Sequence, residues 1–143
     1  VSVFLDTNIL IYSISSDSTE SAKRERADEI LRRDDCVISV QVLQEFYAQM
    51  TRASRPGALS HQTVLKLIQG WQRFPIQENT FAVLTRALDI VERYRFSIWD
   101  SLIIAAALLG ECETLFSEDL SHGQRIENLT IVNPFLSSRI VQL

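Results

Sequence analysis

A chain of 143 residues, 46% of them apolar, has the size of one compact domain and enough hydrophobic material for a core. Its 14 Lys and Arg against 18 Asp and Glu leave a net charge of -4, which excludes a protein that coats duplex nucleic acid through a strongly basic surface. The longest apolar run, Leu102 to Leu109, is eight residues against about 20 for a membrane span, and Asp6 interrupts any signal-peptide core, so a cytoplasmic protein without membrane contact is expected.

Val1 to Leu5 is a short β-branched apolar run stopped by Asp6, which predicts a strand ending at a polar tip, followed by a short apolar helix from Ile9 to Ile14. Asp17 and Glu20 have the spacing of a capping box ahead of an amphipathic surface helix, Ser21 to Arg33, with Ala22, Ala27, Ile30 and Leu31 inward. Cys36 to Val40 predicts a second buried strand. Val42, Leu43, Phe46, Tyr47 and Met50 then recur at helical spacing, with Arg52 and Arg55 near the C-terminal end and a break at Pro56-Gly57.

Ser60 caps a helix whose apolar face is Val64, Leu67, Ile68 and Trp71, so residues 40 to 73 form a helical hairpin, followed by a short extended segment, Phe74 to Gln77. Phe81, Leu84, Leu88 and Val91 mark the apolar face of the next helix. Ser97 opens another that is apolar on all sides from Leu102 to Leu109 and must therefore be central. Thr114 to Phe116 and Thr130 to Val132 are the last strands, separated by a polar loop, Ser117 to Asn128. Strands alternating with helices predict an α/β fold with a parallel sheet, and no repeat or linker divides residues 1–143 into more than one domain.

Ligands of such sheets bind beyond the carboxyl ends of the strands. Asp6 ends the first strand, Glu45 lies early in the helix after the second, Asp100 starts the buried helix, and Asp119 follows the strand at 114–116. Each alone reads as a helix cap, a dipole partner or a turn residue. Together they offer four carboxylates from four segments to one edge, where their mutual repulsion calls for a cation. Magnesium or manganese suits an all-oxygen set and the hydrolysis of a phosphodiester. Asn8 and Ser117 stand where they can orient the carboxylates, and Glu118 is a second acid beside Asp119. Cys36 and Cys112 form no C-x-x-C pair and are expected to be buried thiols, and the isolated His61 and His122 leave no histidine-based site.

The segments Phe4-Leu5-Asp6-Thr7-Asn8-Ile9-Leu10, Ser39-Val40-Gln41-Val42-Leu43-Gln44-Glu45-Phe46, Ser97-Ile98-Trp99-Asp100-Ser101-Leu102-Ile103 and Leu115-Phe116-Ser117-Glu118-Asp119-Leu120 together resemble a PIN domain, and within that superfamily the VapC-type toxins of toxin-antitoxin pairs. The resemblance implies a three-layer α/β/α sandwich and an endoribonuclease dependent on Mg²⁺ or Mn²⁺. It further implies dimerisation and a cognate antitoxin protein in the active-site groove, with Asp6, Glu45, Asp100 and Asp119 in the acidic positions. Arg52 and Arg55 are the expected contacts to RNA phosphates. A haloacid-dehalogenase phosphatase would need an Asp where Asn8 stands, and a response-regulator receiver would need an acidic pair and a late Lys that the sequence lacks. The serious alternative is a PIN-like module that grips RNA or protein without cutting.

Overall fold

The computed structural model describes residues 2–136; Val1, at the start of the first predicted strand, lies outside them. Among the described residues, six strands and six helices follow in the order β1 Ser2–Leu5, α1 Thr7–Ser13, α2 Ser21–Leu31, β2 Cys36–Ser39, α3 Val40–Met50, α4 His61–Trp71, β3 Ile76–Gln77, α5 Phe81–Tyr94, α6 Ile98–Leu109, β4 Cys112–Phe116, β5 Arg125–Ile126 and β6 Leu129–Val132. They form one sheet in the order β3-β2-β1-β4-β6-β5, parallel throughout except for β5, which pairs antiparallel with β6.

This order follows from elementary chain geometry. From β1 the sheet grows one way through β2 to β3, then the chain crosses back through α5 and α6 to β4 on the other side of β1. Right-handed crossovers put helices of opposite travel on opposite faces of the sheet. The contacts agree, since α1 touches α2 and α3, α3 touches α4, and α5 packs on α6. The strands are covered on both sides and accordingly read as continuous apolar runs, with Phe4, Leu5, Ile38, Leu115 and Ile131 wholly buried. No helix among the described residues is long and apolar enough to cross a membrane.

Most predicted elements are present, with physical corrections. Helix α1 starts two residues before Ile9, because the Asp6 side chain caps it by accepting from the Thr7 N–H. Asp17 caps a separate 3-10 turn, Ser18–Glu20, rather than forming a capping box for α2. Glu20 instead accepts from the Ser15 hydroxyl, and Ala22 is exposed. Val40 belongs to α3, which ends at Met50, so Arg52 and Arg55 lie in the following loop and Pro56-Gly57 does not terminate the helix. Cys36 and Cys112 are buried free thiols, as expected, and burial pushes them up to about 11 and about 12.

The predicted polar loop 117–128 contains β5, joined to β6 by a turn through Glu127 in the left-handed region (φ 56°). Such a turn usually carries Asn-Gly or Asp-Gly, and its Glu127-Asn128 sequence gives no such signal. On α5 the buried residues are Val83, Ala87 and Ile90, whereas Phe81 and Leu88 of the predicted apolar face are 81% and 54% exposed. The helix has two apolar stripes; the one holding the small Ala87 is buried, and α5 packs on α6, a helix rich in buried alanines. Ile90→Ala is therefore expected to cost about 2–5 kcal/mol in chemical denaturation, while Leu88→Ala stays within about 0.5 kcal/mol; equal losses would restore the predicted face.

Candidate active site

The reversal of sheet order at β1 leaves a crevice between β1 and β4, the position where ligands of such sheets bind. Registers Leu5↔Phe116 and Phe116↔Val132 bring the ends of β1, β4 and β6 level. The Asp6 N–H donates to the Phe116 carbonyl and the Ser117 N–H to the Val132 carbonyl, so the chain leaves both central strands with Asp6 and Ser117 side by side.

Asp6 is 8% exposed and both its oxygens are held. Oδ1 accepts from the Thr7 N–H (2.8 Å) and Oδ2 from the Ser117 hydroxyl (2.7 Å). Burial pushes its pKa up to about 6, the two hydrogen bonds oppose the rise, and the charges of Glu45 and Asp119 add to it. Asp100, in the first turn of α6, is also raised, first by burial and then by Asp119 and Glu45, against the lowering effect of Ser97. The charges of Glu45 and Asp119 thus bear on both aspartates.

Glu45 is fixed at both oxygens. Oε2 accepts from the Thr7 hydroxyl (2.8 Å) and Oε1 from Gln41 Nε2 (2.8 Å), one turn earlier on α3. Gln41 also donates to the Trp99 carbonyl (3.2 Å), tying α3 to the start of α6 beside Asp100. Asp119 is exposed but steered: its Oδ2 accepts from Asn8 Nδ2 (3.2 Å), and its N–H donates to Ser117 Oγ (3.2 Å). Asn8 accepts in turn from the Glu118 N–H (3.3 Å).

Asn8 and Ser117 therefore contact the carboxylates they were expected to orient. Thr7 and Gln41 were not singled out from sequence, although a polar residue one helical turn before a candidate Glu is a usable signal. Glu118 turns away from Asp119. Its oxygens take the Tyr12 hydroxyl (2.5 Å) and Lys23 Nζ (2.6 Å), which anchors the loop and leaves Asp119 as the acid facing the cleft. Arg52 and Arg55 touch none of the four carboxylates; Arg55 lines a separate cavity of about 420 Å³ with Asp17, Glu20 and Met50. Asp6 and Ser97 cap α1 and α6, as their local sequence spacing predicts.

The four candidate donors are all carboxylates, with no nitrogen or sulfur among them, and that chemistry suits a hard divalent cation. Among the described residues, no three or more His, Cys, Asp or Glu side chains stand grouped so as to hold a metal ion together. Magnesium is compatible with so open a site, because it keeps several waters and takes only one or two carboxylates directly.

The family model for the PIN domain matches residues 3–124, and the chain belongs to that family. The sequence matches no curated protein at a significant level. Among solved structures, the fold is similar to a toxin-antitoxin complex from Klebsiella pneumoniae (20% identity, 94% of this chain and 98% of that one, TM-score 0.70). It is also similar to VapC20 of Mycobacterium tuberculosis, described as a sarcin-ricin loop cleaving toxin (15% identity, 82% and 90%, TM-score 0.63). A third relative is VapBC2 of Rickettsia felis bound to a DNA fragment of its promoter (18% identity, 92% and 97%, TM-score 0.63).

Proposed function

We propose that this PIN domain is an endoribonuclease dependent on Mg²⁺ or Mn²⁺, acting as the toxin of a VapBC-type pair, with residues 1–143 forming one catalytic domain. The observation that carries the reading is the hydrogen-bonded convergence of four carboxylates at one sheet edge: Ser117 holds Asp6, Thr7 beside it holds Glu45, Asn8 holds Asp119, and Gln41 ties Glu45 to the Trp99 carbonyl next to Asp100. Similarity of fold to toxin-antitoxin complexes supports an antitoxin partner; a homodimer is part of the same proposal.

Asp6, Glu45, Asp100 and Asp119 are the residues proposed to hold the ion and to carry catalysis. The cation supplies positive charge at the scissile phosphate and lowers the pKa of a water. The protein's part is orientation. Ser117 and the Thr7 amide fix Asp6, Thr7 and Gln41 fix Glu45, Asn8 steers Asp119, and the Ser97 cap sets the first turn that carries Asp100. Held this way, the carboxylates need little rearrangement when phosphate arrives. Arg52, seven residues beyond Glu45 in the loop after α3, and Arg55 in the same loop are proposed to meet the RNA backbone away from the scissile phosphate.

Purified protein free of antitoxin should cut a pool of single-stranded RNA with Mg²⁺ or Mn²⁺ and stop when EDTA is added. Asp100→Asn should lower the rate by a hundredfold or so with unchanged circular dichroism, since even the groups that orient metal ligands are worth about 10–100-fold. Metal-dependent cutting that survives Asp100→Asn would remove that residue from the site. RNA binding without cleavage in the wild-type protein would favour a PIN-like binding module.

A further inference from the structure

Beside the carboxylates lies a cavity of about 390 Å³, within the usual size range for a small-molecule site, bounded by Gln41, Gln44, Asn79, Phe81, Trp99 and Leu102. Two aromatic side chains stand unusually open there: Trp99 is 66% and Phe81 81% exposed. Trp99 directly precedes Asp100, and its carbonyl is held by the same Gln41 amide that holds Glu45. The cavity and the carboxylate cleft thus share a wall.

We propose that this cavity receives one unpaired base of the RNA next to the scissile phosphate, with Trp99 as the stacking platform and Gln44 and Asn79 reading the base edge. The assignment rests on reading the carboxylate cleft as a ribonuclease site. The chemistry of the lining selects the occupant. Every base offers a π-face that stacks on an indole, and single-stranded RNA is recognised by such stacking combined with hydrogen bonds to base edges. Asn79 Nδ2 donates to Gln44 Oε1 (3.1 Å), which orients both amides and leaves the Gln44 NH₂ as donor and the Asn79 carbonyl as acceptor for a base. A purely apolar partner surface would leave these amides unmatched. A base is joined through its sugar to a phosphate, so a base on Trp99 places that phosphate beside Asp100 in a way that a ligand without a phosphodiester cannot.

Trp71 is 5% exposed, so Trp99 is the open indole of the two in the chain and reports on its own site. Titration of the Asp100→Asn protein with a six-nucleotide RNA should quench its fluorescence, and an additional Trp99→Ala change should weaken binding about tenfold, with Trp99→Phe retaining most of it. Replacing single nucleotides by abasic ones should weaken binding at one position, and that position should cease to matter in the Trp99→Ala background. Gln44→Ala should alter which base is preferred there. If Trp99→Ala and every abasic position leave affinity unchanged while chelator-sensitive cleavage persists, the base pocket is refuted and the ribonuclease reading stands. If binding follows Trp99 but the wild-type protein with Mg²⁺ or Mn²⁺ cuts nothing, a base-binding pocket stands and the ribonuclease reading, with the scissile phosphate beside it, fails. A Trp99→Ala change that turns a dimer into a monomer in light scattering, without altering RNA affinity, would give this face to a second copy of the chain and overturn the proposal.

Discussion

Asp6→Asn is expected to raise the melting temperature of the metal-free protein by about 5 °C at pH 7.5 while lowering RNA cleavage by more than about a hundredfold. The stabilisation follows from the carboxylate's position. Burial lifts its pKa from 3.8 to about 6, so the folded protein holds this proton more tightly than the unfolded chain does. A raised carboxylate pKa contributes no penalty well below pH 3.8, where both states are protonated. Stability falls as pH rises towards 6 and stays lower above it, by a cost on the order of 3 kcal/mol. Asparagine removes the charge while keeping an acceptor for the Thr7 N–H, and the Ser117 hydroxyl can turn to accept from its amide, so roughly 1–2 kcal/mol should be recovered. Activity moves the other way, because the residue proposed as a central ligand is lost. Thermal melts of both proteins from pH 4 to 8 should coincide at the acid end and diverge above about pH 5. A variant less stable than wild type at pH 7.5 would show that the hydrogen bonds to the charged form outweigh its burial.

That conflict between stability and charge also explains what could be seen in the sequence. Asp6 and Ser117 were legible because β-branched apolar runs stop abruptly at them, and the two strands are neighbours in the sheet. Asp100 was legible because a carboxylate opening an all-apolar helix is costly unless something compensates it. The orienting role of Thr7 was hidden, since a threonine in a first helical turn explains itself locally, and only the fold brings Glu45 within reach of its hydroxyl. The sequence favours Asp119 over its neighbour Glu118 only by resemblance, and the physical reason, Tyr12 and Lys23 drawing Glu118 away, appears only in the fold. The face of α5 was misjudged for a related reason. Phe81, Leu84 and Leu88 are larger than Ala87, and periodicity weighs size, whereas close packing against an alanine-rich helix rewards smallness. The same error left Phe81 assigned to the core when it borders the cavity beside Trp99.

Millimolar Mg²⁺ or Mn²⁺ should raise the melting temperature at pH 7.5 by several degrees, and the rise should vanish as pH falls below 6. An ion that binds the folded protein alone stabilises it by about 2.7 kcal/mol at a hundredfold excess over its dissociation constant. Here the ion and the proton compete for the same oxygens: with Asp6 titrating at about 6, acid fills the site with protons and weakens the cation. The metal effect on stability therefore has the opposite pH dependence to the metal-free protein, whose burial cost grows as pH rises through that same range. In Asp6→Asn the metal shift should be largely lost although the starting stability is higher, so that wild type with metal and variant without it converge by different routes. A metal shift of equal size in the variant, or one that persists unchanged at pH 5, would place the ion away from Asp6 and require another set of oxygens for the chemistry.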